Sequence, residues 1–593
     1  LGATLFPGGV TFRVFAPFAQ SVGLAGTFNG WSPTSTPLAP EGSSGNWSLD
    51  VPAAGPGDEY RFIMNGQTTW SLDARSRSVA AATGNSIVYD PNAFAWPATT
   101  FTTPAWNQLV IYELHIGTFY DTTPNAPGTF ANAAQKLPYL AALGINAVEV
   151  MPVQEFGDAW NEGYDVANPF AVEAVYGGAD AFKTFVAAAH AQGIAVILDV
   201  VYNHWGPVDL ALWRYDGWFM DGWGGIYFYQ DGRAVTPWTS TGRPDYGRGE
   251  VRQYIHDNAM QWLQEFRLDG LRWDSVSYTR NVYGNDNDPA NDLPAGWSLI
   301  QWVSDEKNRT QSWKILVGED LHNNPWITKT TGAGGAGCDA QWDASFADHV
   351  RSVIIGSVDD ERSIAALTAA ITNNYNGNAF ERVIYTESHD EADAQHKRVP
   401  DAIAPGDSGN YYARKRSTLG AALVMTSPGI PMILQGQEFL EWRYFEVDAN
   451  DDSLMNWGLA QQYSGVVALY GDLIRLRRNW FNNTRGLSGE GLNVFFASDS
   501  DKVIAFHRWD QGGPGDDVVV VANLRNTSYA SYTIGFPRPG TWYVRFNSDA
   551  SAYSPDYGNT PGYDTTAAYG SCQGMPCNGN VGMGPYTVLV LSQ

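Results

Sequence analysis

The sequence predicts an α/β protein built on a (β/α)8 TIM barrel, with all-β domains before and after it. Three observations predict this. Apolar strands alternate with segments of helical periodicity from about residue 105 to 485, short alternating runs broken by turn residues fill 1–97, and the same all-β texture returns over 488–593. A chain of 593 residues has room for three or four domains of ordinary size.

Each element has a local reason. In 1–97, runs such as VTFRVFAP and EYRFIMN are separated by Gly, Pro, Asn and Ser clusters, and the Pro- and Thr-rich stretch WPATTFTTPAW reads as a linker. Eight strands follow: LVIYELHI, INAVEVMPV, IAVILDVVYNH, RLDGLRWD, KILVGED, QWDASF, RVIYTESHD and IPMILQG. Between them, DAFKTFVAAAHAQG reads as a helix with Asp180 as its N-cap and Gly193 as its stop. VRQYIHDNAMQWLQEF sets Val251, Tyr254, Ile255, Trp262 and Phe266 at helical spacing. Strands alternating with helices over this length predict a closed parallel barrel. After strand 3, residues 205–247 form an insertion rich in Gly and aromatics, among them Trp205, Trp213, Trp218, Trp223, Tyr227, Phe228, Tyr229 and Trp238, placed to lie over the strand ends. VIAFHRW, VVVVANL, TWYVRF and YTVLVLS are strands of the last domain.

The formal net charge of −26 opposes a phosphate backbone, so nucleic acid is excluded as a partner and a neutral or cationic substrate is expected. No run of 18 apolar residues occurs, so no membrane span is expected. The chain starts at Leu1 without Met, which suits a mature secreted, extracellular protein or a trimmed one. The three cysteines match no zinc or iron–sulfur spacing; Cys572 and Cys577, separated by four residues, either close a small disulfide or stay free.

The polar residues that end the strands carry the chemistry. Four apolar strands finish in Asp199, Asn203 and His204; in Arg272 and Asp274; in Glu319 and Asp320; and in Glu387, His389 and Asp390. A parallel barrel brings all strand C-termini to one face. Gathering that many carboxylates costs several kcal/mol unless they are paired or solvated, roughly as for any buried charge, so a structural role alone is a poor explanation. Two carboxylates flanking a bond, with a third beside them, are the equipment of glycoside hydrolysis. Arg272 stands two residues before Asp274, on the same face of the strand, where a cation keeps a nucleophile ionised.

These residues resemble the α-amylase superfamily of glycoside hydrolases. Its four barrel motifs appear in order as DVVYNH at 199–204, GLRWDSV at 270–276, GED at 318–320 and ESHDE at 387–391, with YELHIGTF, MPVQEF, GYDVANPFAVEAVYGG and GIPMILQGQEF in support. The resemblance implies that Asp274 is the nucleophile, Glu319 the general acid/base and Asp390 the residue that binds sugar hydroxyls and strains the ring. Tyr164, His204, Arg272, His389, Asp199 and Trp205 form the expected substrate-binding set. Retention of configuration follows, with the Asp274 and Glu319 carboxyls about 5–5.5 Å apart, and Glu319 is expected to hold its proton to a raised pKa. The stretch FRVFAP…VGLAGTFNGW…GNWSLDVP…YRFIMNG is similar to the β-sandwich module before the barrel in branching enzymes, isoamylases and trehalohydrolases, and the last domain to the β-sandwich that closes most members. In the first module, Trp31 and Trp47 either stack on glucan or fill the core.

Departures from the pattern matter. Ser277 and Tyr278 stand where many amylases have Lys-His, so the acceptor side is altered and the usual calcium site is in doubt. Asn203 matches a common calcium ligand, so one structural calcium is an expectation; the chemistry itself requires no cofactor. The main expectation is hydrolysis of α-1,4 bonds in starch, amylose and maltooligosaccharides. The alternative is a 1,4-α-glucan branching enzyme, using the same residues with a glucan hydroxyl as acceptor. A debranching or trehalose-releasing hydrolase ranks third, and a catalytically dead glucan-binding protein is opposed by the complete set of acids, Arg and His.

Overall fold

The computed structural model describes residues 1–68, 70–98, 101–206, 210–448 and 454–593; Thr99 and Thr100 of the linker and residues 207–209 of the insertion lie outside the described residues. The eight expected strands close one parallel barrel: Ile111–Leu114, Ala147–Val150, Ala195–Val200, Gly270–Trp273, Ile315–Gly318, Ala340–Trp342, Arg382–Ile384 and Ile430–Leu434, the last pairing with the first. They read as apolar runs because a parallel strand is covered on both faces. Ile197, Ile315, Val317, Val383 and Met432 fill the inside with Ile111, while Leu198, Leu271 and Leu316 join the core shared with the outer helices.

Register places the chemistry. Asp199 pairs with Arg272, and Arg272 with Val317; one step on, Trp273 pairs with Gly318. Asp274 and Glu319 therefore leave adjacent strands at the same height, directly above Arg272.

The helix expected from Asp180 spans Gly178–Ala191, so Asp180 lies in its first turn and the cap position falls to Gly177. Gly177 and Gly178 both have positive φ, a conformation that turns the chain into the helix three residues earlier than the sequence suggests. Asp180 instead accepts a 2.7 Å hydrogen bond from the Tyr89 hydroxyl, tying the helix to the segment before the barrel. Gly193, at φ +74°, follows the helix as expected.

The first domain pairs the sheet of Gly2–Phe6, Gly9–Phe15, Ala39–Pro40 and Asn46–Val51 with that of Val22–Gly26, Glu59–Met64 and Ser86–Ile87. Val10, Phe12, Val14, Leu24 and Phe62 are buried between them. The last domain joins eight strands between Gly491 and Ser592. Its hairpin sets Cys572 opposite Met575 and Cys577 opposite Tyr569, on different rungs, and all three cysteines are free thiols. Among the described residues, no helix is long and apolar enough to cross a membrane.

The insertion docks on the first domain. The Phe18 ring stacks on Trp218 with centroids 4.5 Å apart, the Phe18 amide donates to Asp216 at 2.9 Å, and Asn65 donates to the Asp216 carbonyl.

Candidate active site

Arg272 is the centre of the site. Its side chain is fully buried. One terminal nitrogen donates to Asp199 and, at 3.1 Å, to Asp274; the other lies 2.8 Å from a Glu319 oxygen. The Trp342 ring covers the guanidinium at 4.2 Å. One planar fork thus joins three carboxylates, a task a point-like ammonium performs poorly.

The two acids above it are held further. Asn203 donates its side-chain amide to both the carbonyl, at 2.9 Å, and the carboxylate of Asp274. The Ser275 amide donates to Glu319 at 2.7 Å. Ser275 itself sits at φ +41°, a left-handed conformation that costs a non-glycine residue on the order of 1 kcal/mol and that aims this amide at the carboxylate. Burial first, and the Glu319 charge second, push the Asp274 carboxyl well above the ordinary range, against the pull of Arg272. The two acids share one guanidinium. Asp199 is pushed up to about 6 by burial, which Arg272 and Tyr164 offset only in part.

Opposite this group, the Tyr164 hydroxyl donates to Asp199 at 2.7 Å and lies 2.9 Å from His389 Nε2, with the two rings stacked 5.2 Å apart. His389 Nδ1 lies 2.6 Å from Glu113 of the first barrel strand. Burial opposes the charged imidazole, but the Asp390 and Glu113 carboxylates win and hold the His389 pKa well above its usual value. Asp390 is the open member, its side chain 58% exposed. His204 stacks on Trp238 at 4.9 Å, and burial lowers its pKa to about 3, so the ring is neutral.

All of these groups except the buried Asn203, Asp199, Arg272 and Glu113 line a cleft of about 1090 Å³ at the C-terminal face of the barrel. Its rim is aromatic: Trp160, Trp238, Tyr278 and Tyr283. The insertion divides as its aromatics suggest, with Phe228 and Tyr229 buried in packing and Trp238 47% exposed in the cleft, edge-on to Tyr278 at 5.0 Å.

One expected role is corrected. Trp205 is fully buried, donates its indole N–H to the Val201 carbonyl and packs on Phe228 and Tyr254, so it supports the insertion and stays out of the cleft. The Asn203 amide oxygen faces His204 Nδ1 and its nitrogen serves Asp274. Among the described residues, no group of three or more His, Cys, Asp or Glu is arranged to hold a metal. In the first module, Trp47 packs on the core and donates to the Ala16 carbonyl, whereas Trp31 lies parallel to Trp70 at 6.4 Å on the surface. Glu113 and Trp342 went unrecognised in the sequence; Glu113, polar at the end of an apolar barrel strand, carries the same signal as the acids that were found.

Comparison with known proteins agrees with this geometry. Residues 114–212 match the model of the α-amylase catalytic domain, residues 1–93 carbohydrate-binding module 48 (isoamylase N-terminal domain), and residues 496–593 the α-amylase C-terminal all-β domain. The chain is 30% identical to the 1,4-α-glucan branching enzyme GlgB of Dechloromonas aromatica, over 100% of this chain and 96% of that one. It is also 30% identical to the GlgB of Corynebacterium efficiens, over 92% of this chain and 75% of that one. The fold is that of an Anoxybacillus pullulanase crystallised with maltotetraose, at a TM-score of 0.78 and 22% identity, covering 100% of this chain and 87% of the other. The chain belongs to the α-amylase superfamily of glucan-active enzymes.

Proposed function

We propose that the protein is a 1,4-α-glucan branching enzyme: it cuts an α-1,4 bond with retention and passes the cut chain to a hydroxyl of another glucan. The observation that carries the cleavage step is the buried Arg272 fork joining Asp199, Asp274 and Glu319 beneath an open cleft. Asp274 attacks the anomeric carbon as the C1–O4 bond breaks, and Glu319 gives its proton to the departing O4. Glu319, now a carboxylate, then takes the proton of an acceptor 6-hydroxyl while O6 bonds to C1 and Asp274 is released. Tyr164 supplies a platform, and His204, His389 and Asp390 bind hydroxyls of the same sugar. The end-to-end similarity to branching enzymes supports a glucan rather than water as acceptor. So does the rim, where Trp238, Tyr278 and Tyr283 offer faces on which a second chain can lie.

Hydrolysis is the second reading. It is favoured by the residues after the nucleophile, SVSYTRN at 275–281, which lack the Met-Leu-Tyr-like continuation common in branching enzymes. Incubation with amylose separates the two: iodine colour is expected to fade while reducing ends stay nearly constant, because transfer re-forms one bond for each bond cut. A matching rise in reducing ends assigns the protein to hydrolysis.

A further inference from the structure

A second cleft lies at the other end of the barrel. The segments leading into barrel strands one, five and seven carry Trp106, Trp313 and Phe380, and they meet Glu490 and Gln511 of the C-terminal domain around about 770 Å³. The seam is fixed: Asn107 donates to the Ser488 carbonyl at 2.9 Å. Trp106 packs on the buried cluster of Ile111, Ile315 and Val383. Trp313 is 57% exposed, and among the described residues no ring or cation lies against it. The Trp313 indole thus faces solvent beside an ordered seam, in the lining of the same cleft.

The chemistry of the lining selects a ligand class. No Lys or Arg lines the cleft, and its charged members, Glu490 and Asp510, are acidic, so anions are repelled. Flat aromatic faces ringed by amide and carboxylate oxygens match a pyranose, which offers an apolar C–H face to the ring and hydroxyl donors around its edge. The position excludes a part in the chemistry: the lining residues precede the barrel strands, whereas Asp274 and Glu319 follow them.

We propose that this cleft is an auxiliary binding site for an α-glucan chain, with Trp313 as its platform. The choice of α-glucan rests on the proposed function. A chain held there leaves the catalytic cleft free and keeps other branches of the same polymer at high local concentration.

The test uses affinity electrophoresis in gels containing amylopectin. The protein carries Asp274→Asn, so that the polymer stays intact, and Trp31→Ala with Trp70→Ala, so that the surface pair of the first module is silent. Adding Trp313→Ala is expected to weaken the remaining retardation by about threefold to tenfold, as for loss of one aromatic contact. Trp313→Phe is expected to restore most of it. With the native acids in place, Trp313→Ala is expected to leave the rate on maltoheptaose unchanged. Retardation unaltered by Trp313→Ala, in a protein whose parent acts on amylose, overturns the auxiliary site alone. A parent that neither acts on amylose nor is retarded overturns the glucan reading and the ligand class with it.

Discussion

The floor and the rim of the catalytic cleft are built by opposite means. On the floor, Arg272, Asp199 and Glu319 are nearly or fully buried, and each polar contact is fixed by another: Arg272 by three carboxylates and Trp342, His389 by Glu113, Asp274 by Asn203. On the rim, Trp238 and Tyr283 are 47% and 62% exposed and make ring contacts or none. A preorganised floor stabilises charge at the moment it develops. An open aromatic rim grips a glucan face without demanding one orientation of its hydroxyls. On the proposed function, bond cleavage is set by the floor and the fate of the cut chain by the rim.

The largest expected effect breaks the floor. Asp274→Asn removes the proposed nucleophile while keeping its shape, and the rate on amylose is expected to fall on the order of 10⁴-fold or more, with glucan binding retained. Comparable loss of binding would mean that Asp274 holds the cleft together rather than acting on substrate. Arg272→Lys keeps the charge but not the fork that reaches Asp199, Asp274 and Glu319 together. A loss of about 10²–10³-fold in kcat is expected, in the range seen when one preorganised donor is removed.

The pH profile follows from Asp274. Burial first and the Glu319 charge second raise the proton affinity of its carboxyl, so it ionises at higher pH than an isolated one. The rate is expected to fall as pH drops through this titration, when the attacking carboxylate is protonated. An acid limb no higher than that of an isolated carboxyl would count against Asp274 as the attacking group.

The smallest effect sharpens the rim. Trp238→Ala removes the ring stacked on His204 and set against Tyr278. The ratio of transfer to hydrolysis is expected to drop by about threefold to tenfold, with the total rate of bond cleavage changed less. Equal losses in both would place Trp238 with the floor.

The legibility of the sequence divides along the same line. The eight barrel strands could be read because a strand covered on both faces is a continuous apolar run, and the acids could be read because they interrupt such runs at one end. Which residues meet one another across the barrel could not. Glu113 meets His389 across 276 residues of chain, and Trp342 covers Arg272 from a strand two further round the barrel. Trp205 was expected among the substrate contacts, yet its indole is buried in the core and donates to the Val201 carbonyl. Asn203 matches a metal ligand by its motif, and its amide nitrogen donates to Asp274. Helix starts follow backbone conformation, which is why the glycine pair before Asp180 displaced the expected cap.

If the cut chain is passed to a glucan hydroxyl, the bond formed is the most direct witness. Amylose converted by the purified protein can be examined by proton NMR for anomeric signals of α-1,6 linkages, counted against new reducing ends. For a branching enzyme, α-1,6 signals are expected to rise while reducing ends stay nearly flat. Reducing ends that grow with no α-1,6 signal would contradict transfer and leave water as the acceptor.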